Sequence, residues 1–171
     1  MPLSLTPEQF EQAWPRMTRW ITQLLTEHAG AARQVGELGF RRLPRYFSRE
    51  LLTAKVVVVD RVPVPPLTEL GIPGFGDFET MQAAGITYLD TFFVDRRCAA
   101  DESLHFHEMI HVVQWQVLGP KGFLAAYADG LARFGYEKSP LEVMAYGLQA
   151  RFENESEPFD AERLARDTLN A

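Results

Sequence analysis

The chain has a single cysteine, Cys98, among its 171 residues, which rules out an intrachain disulfide and a cysteine-rich metal site. One unpaired thiol fits a reducing compartment. Long hydrophobic runs are also missing. Val56 to Val59 and the longer Phe123 to Ala128 are both far short of the about 20 residues that cross a bilayer, so no membrane partner is expected. The opening MPLSLTPEQFEQAWPR has no basic segment leading into an apolar core, so no signal peptide is expected and the chain reads as cytoplasmic. There is no excess of positive charge: 17 Lys and Arg against 23 Asp and Glu leave a net −6. The imbalance lies in residues 101–171, with 6 basic and 12 acidic groups, whereas residues 1–100 carry 11 of each. An acidic chain does not attract phosphate backbones, so nucleic acid is not an expected partner. Repeats and low-complexity tracts are absent. Histidine is scarce, at four residues, and none follows His111.

Apolar residues at 46% and charged residues at 23% are ordinary globular proportions. The length suits one domain, 1–171, with an N-terminal helix and strand region over 1–80 and a core over 85–153. Thr6-Pro7-Glu8 is a helix start, and Phe10, Trp14, Met17, Ile21, Leu24 and Leu25 recur at helical spacing to about His28, with an irregularity expected at Pro15. The arginines 33, 41, 42, 45 and 49 around Leu43-Pro44 read as a solvated face, or as an exosite for acidic partners. Lys55–Asp60 is β-branched and reads as a strand, which the three prolines of Val62–Pro66 end. The segment Leu67–Phe78 is a Gly-rich loop, either a connection or a lid. The alternating Gly85–Val94 reads as a second strand. From Asp101 onward the pattern is helical, broken near Gly119-Pro120, Ser139-Pro140 and Pro158. The fold class is therefore α+β: a small β-sheet, then a key helix, then a mostly helical C-terminal half.

The segment that carries chemistry is Leu104-His-Phe-His-Glu-Met-Ile-His-Val-Val-Gln-Trp115. His107 and His111 are four apart, so on a helix both imidazoles project from one face, where they can hold one Zn²⁺. Glu108 flanks that face, placed to take a proton from metal-bound water. Met109, Ile110, Val112 and Val113 make the helix apolar nearly all round, and a buried helix does not carry histidines and a carboxylate without cause. By chance alone, His-Glu-x-x-His arises in roughly one such chain in a hundred. His105 points elsewhere and reads as a non-ligand. Gln114 and Trp115 read as packing and capping residues. A catalytic zinc takes three protein ligands, and with no histidine downstream the third is an acid or lies upstream. Glu142 leads, in the first turn of a helix begun by Ser139-Pro140. Asp129 and Glu137 are rivals.

His107-Glu108-x-x-His111 with Glu142 on a separate downstream helix resembles the gluzincins, zinc metallopeptidases with a His-His-Glu site. The runs HFHEMIHVVQW, FLAAYADGL and GYEKSPLEVMAYGLQ are similar to small bacterial domains of that type, many of uncharacterised function. The resemblance covers residues 85–153; residues 1–80 carry none. It implies a zincin-like fold and a zinc-dependent hydrolase acting on a peptide or protein substrate. It also implies that Gly85–Val94 is the edge that pairs with extended substrate. Gluzincins often place an acid four residues after the ligand Glu, as a partner of a ligand His. That position is Tyr146 here, a departure that puts full activity in question and leaves a zinc-bound, inactive binding or scaffolding domain as the alternative. The oxyanion also needs an electrophile. Tyr136 is the first choice, with Tyr127 and Tyr88 as rivals. Cys98 reads as a small hydrophobe, the alternative being a thiolate latch on the metal.

Overall fold

The computed structural model describes residues 5–171. Helix α1 spans Pro7–His28. Thr6 begins it with a reciprocal cap: its hydroxyl accepts from Gln9 N at 3.1 Å, and Gln9 Oε1 accepts from Thr6 N at 2.9 Å. Pro15 sits inside the helix without ending it. The buried stripe is Ala13, Met17, Ile21 and Leu24, the face that the apolar spacing marks out.

Four strands follow: β1 at Arg33–Gln34, β2 at Lys55–Val59, β3 at Gly85–Tyr88 and β4 at Thr91–Asp95. They form one sheet in the order β1-β2-β4-β3. β2 runs parallel to β4, and β3 antiparallel to it. A short helix, α2 at Gly76–Glu79, lies in the loop between β2 and β3. The central strand β4 is buried at all five positions. Its pleat sends Phe92 and Val94 to one core with Phe106, Met109 and Ile110, and Phe93 to a second core with Met17, Ile21 and Leu24 of α1. The sheet is thus covered on both faces.

The alternating run 85–94 is not one strand but a hairpin. Tyr88 pairs with Thr91, leaving a two-residue loop, Leu89-Asp90. Leu89 has φ 59°, as a tight hairpin turn requires. No glycine marks the turn, and a two-residue loop keeps the odd–even alternation in step, so the pattern runs through it unbroken.

Helix α3 spans Glu102–Phe134 and is started by Asp101, whose carboxylate accepts from Ser103 N and Leu104 N. At Gly119 the backbone leaves the helix (φ 69°, ψ 165°) and resumes at Pro120. That conformation is essentially restricted to glycine, and Pro120 removes a donor and disfavours helix in the residue before it. Helix α4 is Pro140–Asn154 and α5 is Ala161–Leu169. Ser139 occupies the capping position of α4, but its hydroxyl makes no capping bond; it is fully buried and unpartnered. The arginine-rich stretch forms loops and 3₁₀ turns. Within it Arg42 is a packing residue: its guanidinium lies 4.1 Å from the Phe152 ring centre and donates to the Phe152 carbonyl. Among the described residues no helix is long and apolar enough to cross a membrane.

Candidate metal centre

The first half of α3 is buried on every side, from His105 through Trp115. His107 and His111 lie one turn apart and face the start of α4, where Glu142 is 1% exposed. Three donor atoms converge there. His107 Nε2 and His111 Nε2 are 3.1 Å apart, and Glu142 Oε2 is 3.2 Å from the first and 3.4 Å from the second. Around a tetrahedral ion with bonds of about 2.0–2.1 Å, neighbouring ligand atoms are about 3.3 Å apart, so the triangle has the size such an ion requires. These residues form the only group of three candidate ligands found among the described residues.

The protons on the far side of the two rings fix their chemistry. Gln149 Nε2 donates to Ser103 Oγ and Glu153 Oε1, so Gln149 Oε1 faces His107 Nδ1 at 2.9 Å. Gln114 Nε2 donates to the Leu141 carbonyl, so Gln114 Oε1 faces His111 Nδ1 at 2.7 Å. A carbonyl oxygen only accepts, so each ring carries its proton on Nδ1 and turns the Nε2 lone pair inward. Two lone pairs and a carboxylate oxygen pointing at one buried spot repel one another unless a positive charge sits between them. In the metal-free chain a second proton on His111 supplies that charge at neutral pH, and a metal ion would replace it. Burial opposes charging His111, yet Glu142 and Glu108 lift its pKa to about 9. Burial likewise opposes charge on Glu142, and His111 and His107 hold its carboxyl well below the usual range. The residues present fit a divalent cation with a catalytic site's ligand set, two imidazoles and a carboxylate.

Glu108 stands beside the triad. Thr87 Oγ1 of β3 donates to Glu108 Oε2 at 2.7 Å. Burial raises the Glu108 pKa, partly offset by His107 and His111. Gly85 lies against the same carboxylate: a Cβ there would sit 2.5 Å from Glu108 Oε1. Tyr127 donates to the other oxygen of Glu142, Oε1, at 2.7 Å, so this phenol is a partner of the candidate ligand. Tyr88 donates to the Pro63 carbonyl at 2.7 Å. Tyr136 borders the cavity shared by Glu108, His111 and Glu142, and burial and the Glu142 charge keep its phenol protonated.

The structure does not give Tyr146 the hydrogen bond to a ligand histidine expected of its position. Its ring lies tilted against His107, centres 4.5 Å apart, and is 43% exposed. The partner of His107 is Gln149, one turn further along α4. Neither Gln149 nor the bridging role of Gln114 has a sequence signal, since a glutamine in a helix carries no pattern of its own. Asp129 pairs in solvent with Arg133, and Glu137 is exposed. His105 turns away from the triad, donating from Nδ1 to the Asp101 carbonyl at 2.8 Å and packing between Phe40 and Phe92. Cys98, half-buried in a 3₁₀ turn, lies outside the triad.

β3 is the sheet edge beside the centre, so the edge expected of the whole 85–94 run reduces to Gly85–Tyr88. One of its carbonyls is already engaged: Thr87 O accepts from Trp115 Nε1 at 3.1 Å. Beyond Glu108 the centre opens into a cavity of about 80 Å³ walled by α1, the 65–81 loop, β3 and the second half of α3. Compared with protein-family models, characterised proteins and solved structures, the chain matches none.

Proposed function

We propose that the protein is a zinc-dependent hydrolase, a metallopeptidase of the gluzincin type with a zincin-like fold, whose ligands are His107, His111 and Glu142. The observation that carries the reading is the converging triangle of two inward lone pairs and a carboxylate, with a buried second carboxylate, Glu108, alongside. Zinc, when bound, supplies a Lewis acid that polarises a carbonyl and brings the pKa of water toward neutrality. Glu108 takes the proton of the attacking water and returns it to the leaving amine; its burial raises its basicity toward that task. Thr87 holds the carboxylate in place. Tyr136, kept protonated, donates to the oxyanion as it develops. Tyr127 steadies Glu142, and Gln149 and Gln114 hold the two rings in the ligating tautomer. The site is intracellular in this reading, and its substrate carries a peptide bond.

The test is elemental analysis for zinc, iron and manganese on wild type and Glu142→Ala purified side by side. About one zinc per wild-type chain, strongly reduced in the variant, supports the reading. A wild-type chain that neither carries nor takes up metal defeats it. The inactive alternative, a zinc-bound scaffold, is separated by a peptide-library screen of the loaded chain. Cleavage lost on chelation marks the enzyme.

A further inference from the structure

The cavity beside Glu108 has an unusual wall. Phe10, Trp14 and Met17 of α1 and Phe75 and Phe78 of the loop face Phe123 and Leu131 of α3 across it. No lysine, arginine, asparagine, glutamine or aspartate lines it. Its charged side chains are those of the metal centre itself: Glu108, His111 and Glu142. Its remaining polar side chains are nearly all engaged within the protein. Tyr88 donates to Pro63 O, Trp115 to Thr87 O, Thr87 to Glu108 and Tyr127 to Glu142. Two remain: the Trp14 indole N–H, and the Tyr136 phenol, which meets Tyr146 beside the candidate metal ligands.

A ligand group entering this space finds no side-chain counter-ion beyond the centre and almost no hydrogen-bond partner. A charged or amide-bearing group would give up its hydration for nothing. An apolar group gains from every methylene it removes from water. The space, about 80 Å³, is roughly half the cavity of about 150 Å³ that accepts benzene, which suits an aliphatic group of a few carbons.

We propose that this cavity is the specificity pocket of the centre, and that the substrate is one whose scissile carbonyl is flanked by a single short, uncharged, aliphatic side chain or acyl chain. The proposal rests on the metal reading above. It adds that α1 and the 65–81 loop select the substrate.

Three hydroxamates test it by calorimetry on the full-length, zinc-loaded chain: acetohydroxamate, hexanohydroxamate and adipic acid monohydroxamate, the last matching hexanohydroxamate in length but ending in a carboxylate. At about fourfold per buried methylene, the four extra methylenes of hexanohydroxamate are expected to make it bind about 250-fold more tightly than acetohydroxamate, and the adipic compound at least tenfold more weakly than hexanohydroxamate. Ala128→Leu, which fills the cavity wall, is expected to cut the hexano-to-aceto ratio at least tenfold. Equal affinities for the three, or a preference for the carboxylate, with acetohydroxamate still bound in a zinc-dependent way, would overturn the pocket and leave the metal centre standing. Absence of any zinc-dependent hydroxamate binding would overturn both.

Discussion

Glu108 and Gly85 show how little room there is around the buried carboxylate beside the triad. The carboxylate is held by Thr87 on one oxygen and faces the glycine Cα with the other. Glu108→Gln keeps the shape and the Thr87 contact but removes the basicity. Metal content should stay at the wild-type level while hydrolysis falls by orders of magnitude, and unchanged turnover would remove Glu108 from the base role. Gly85→Ala is subtler. Its Cβ would meet Glu108 Oε1 at 2.5 Å and Cδ at 2.9 Å. The far end of a side chain yields more readily than backbone, so the loss of stability should stay within about 1–3 kcal/mol. The displaced carboxylate should nonetheless cost activity with metal retained. Denaturant midpoints read beside turnover separate the two effects. The motif residues themselves are legible in sequence, because helical spacing dictates that His107 and His111 share a face. The residues that orient them are not. Gln149 and Gln114 matter through the direction of an amide, which depends on Ser103 and Leu141 reaching them from distant parts of the chain and on Glu153 one turn further along α4.

Elements divide in the same way. The termini of α1 and the break in α3 follow from local chemistry: a threonine cap, a proline in the first turn, a Gly-Pro pair. The 85–95 hairpin does not, because its turn residue Leu89 takes a left-handed conformation with no glycine or asparagine to announce it. The cap assigned to Ser139 fails because packing against Gly130 wins: a Cβ on Gly130 would lie 2.6 Å from Ser139 Oγ. The α3 break sets where the second half of the helix, with Phe123 and Tyr127, stands against the centre. Gly119→Ala forces a side chain into φ 69°, ψ 165°, at a cost of about 1–3 kcal/mol. It should also loosen the Tyr127–Glu142 contact. A lowered melting temperature together with weaker zinc retention is the expected pair of results, and an unchanged melting temperature would contradict the strain.

For the whole molecule, acid is the informative perturbation. Asp95 is held down to about 2 by its hydrogen bonds and pairing with Arg97. Glu153 is lowered by Ser103 and Gln149, and Glu155 by Arg151. Glu162 is lowered as well: burial opposes, but Ser48 and Arg166 prevail. Each contributes stability that is fully present above the unfolded carboxyl pKa of about 4 and is lost as pH falls toward the lower folded value. Glu108, raised by burial, acts in the opposite sense. In the metal-free chain Glu142 acts as the lowered carboxylates do. His111, lifted to about 9, contributes stability that is fully present below about 6.5 and lost as pH rises toward 9. Urea midpoints of that chain should therefore change little between pH 6 and 5 and fall steadily below about 4. A midpoint still rising at pH 3 would show that these contacts contribute nothing.

The placement of α1 bears on how the chain comes into being. Its apolar stripe is synthesised before the residues it clusters with, Phe93 on β4 and Trp115, Phe123 and Leu141 further along the chain. A nascent chain must carry that stripe uncovered while about a hundred further residues emerge, because domains fold as their parts become available during synthesis. The ribosome-bound intermediate then exposes an amphipathic helix whose apolar face is open to aggregation until the later elements emerge.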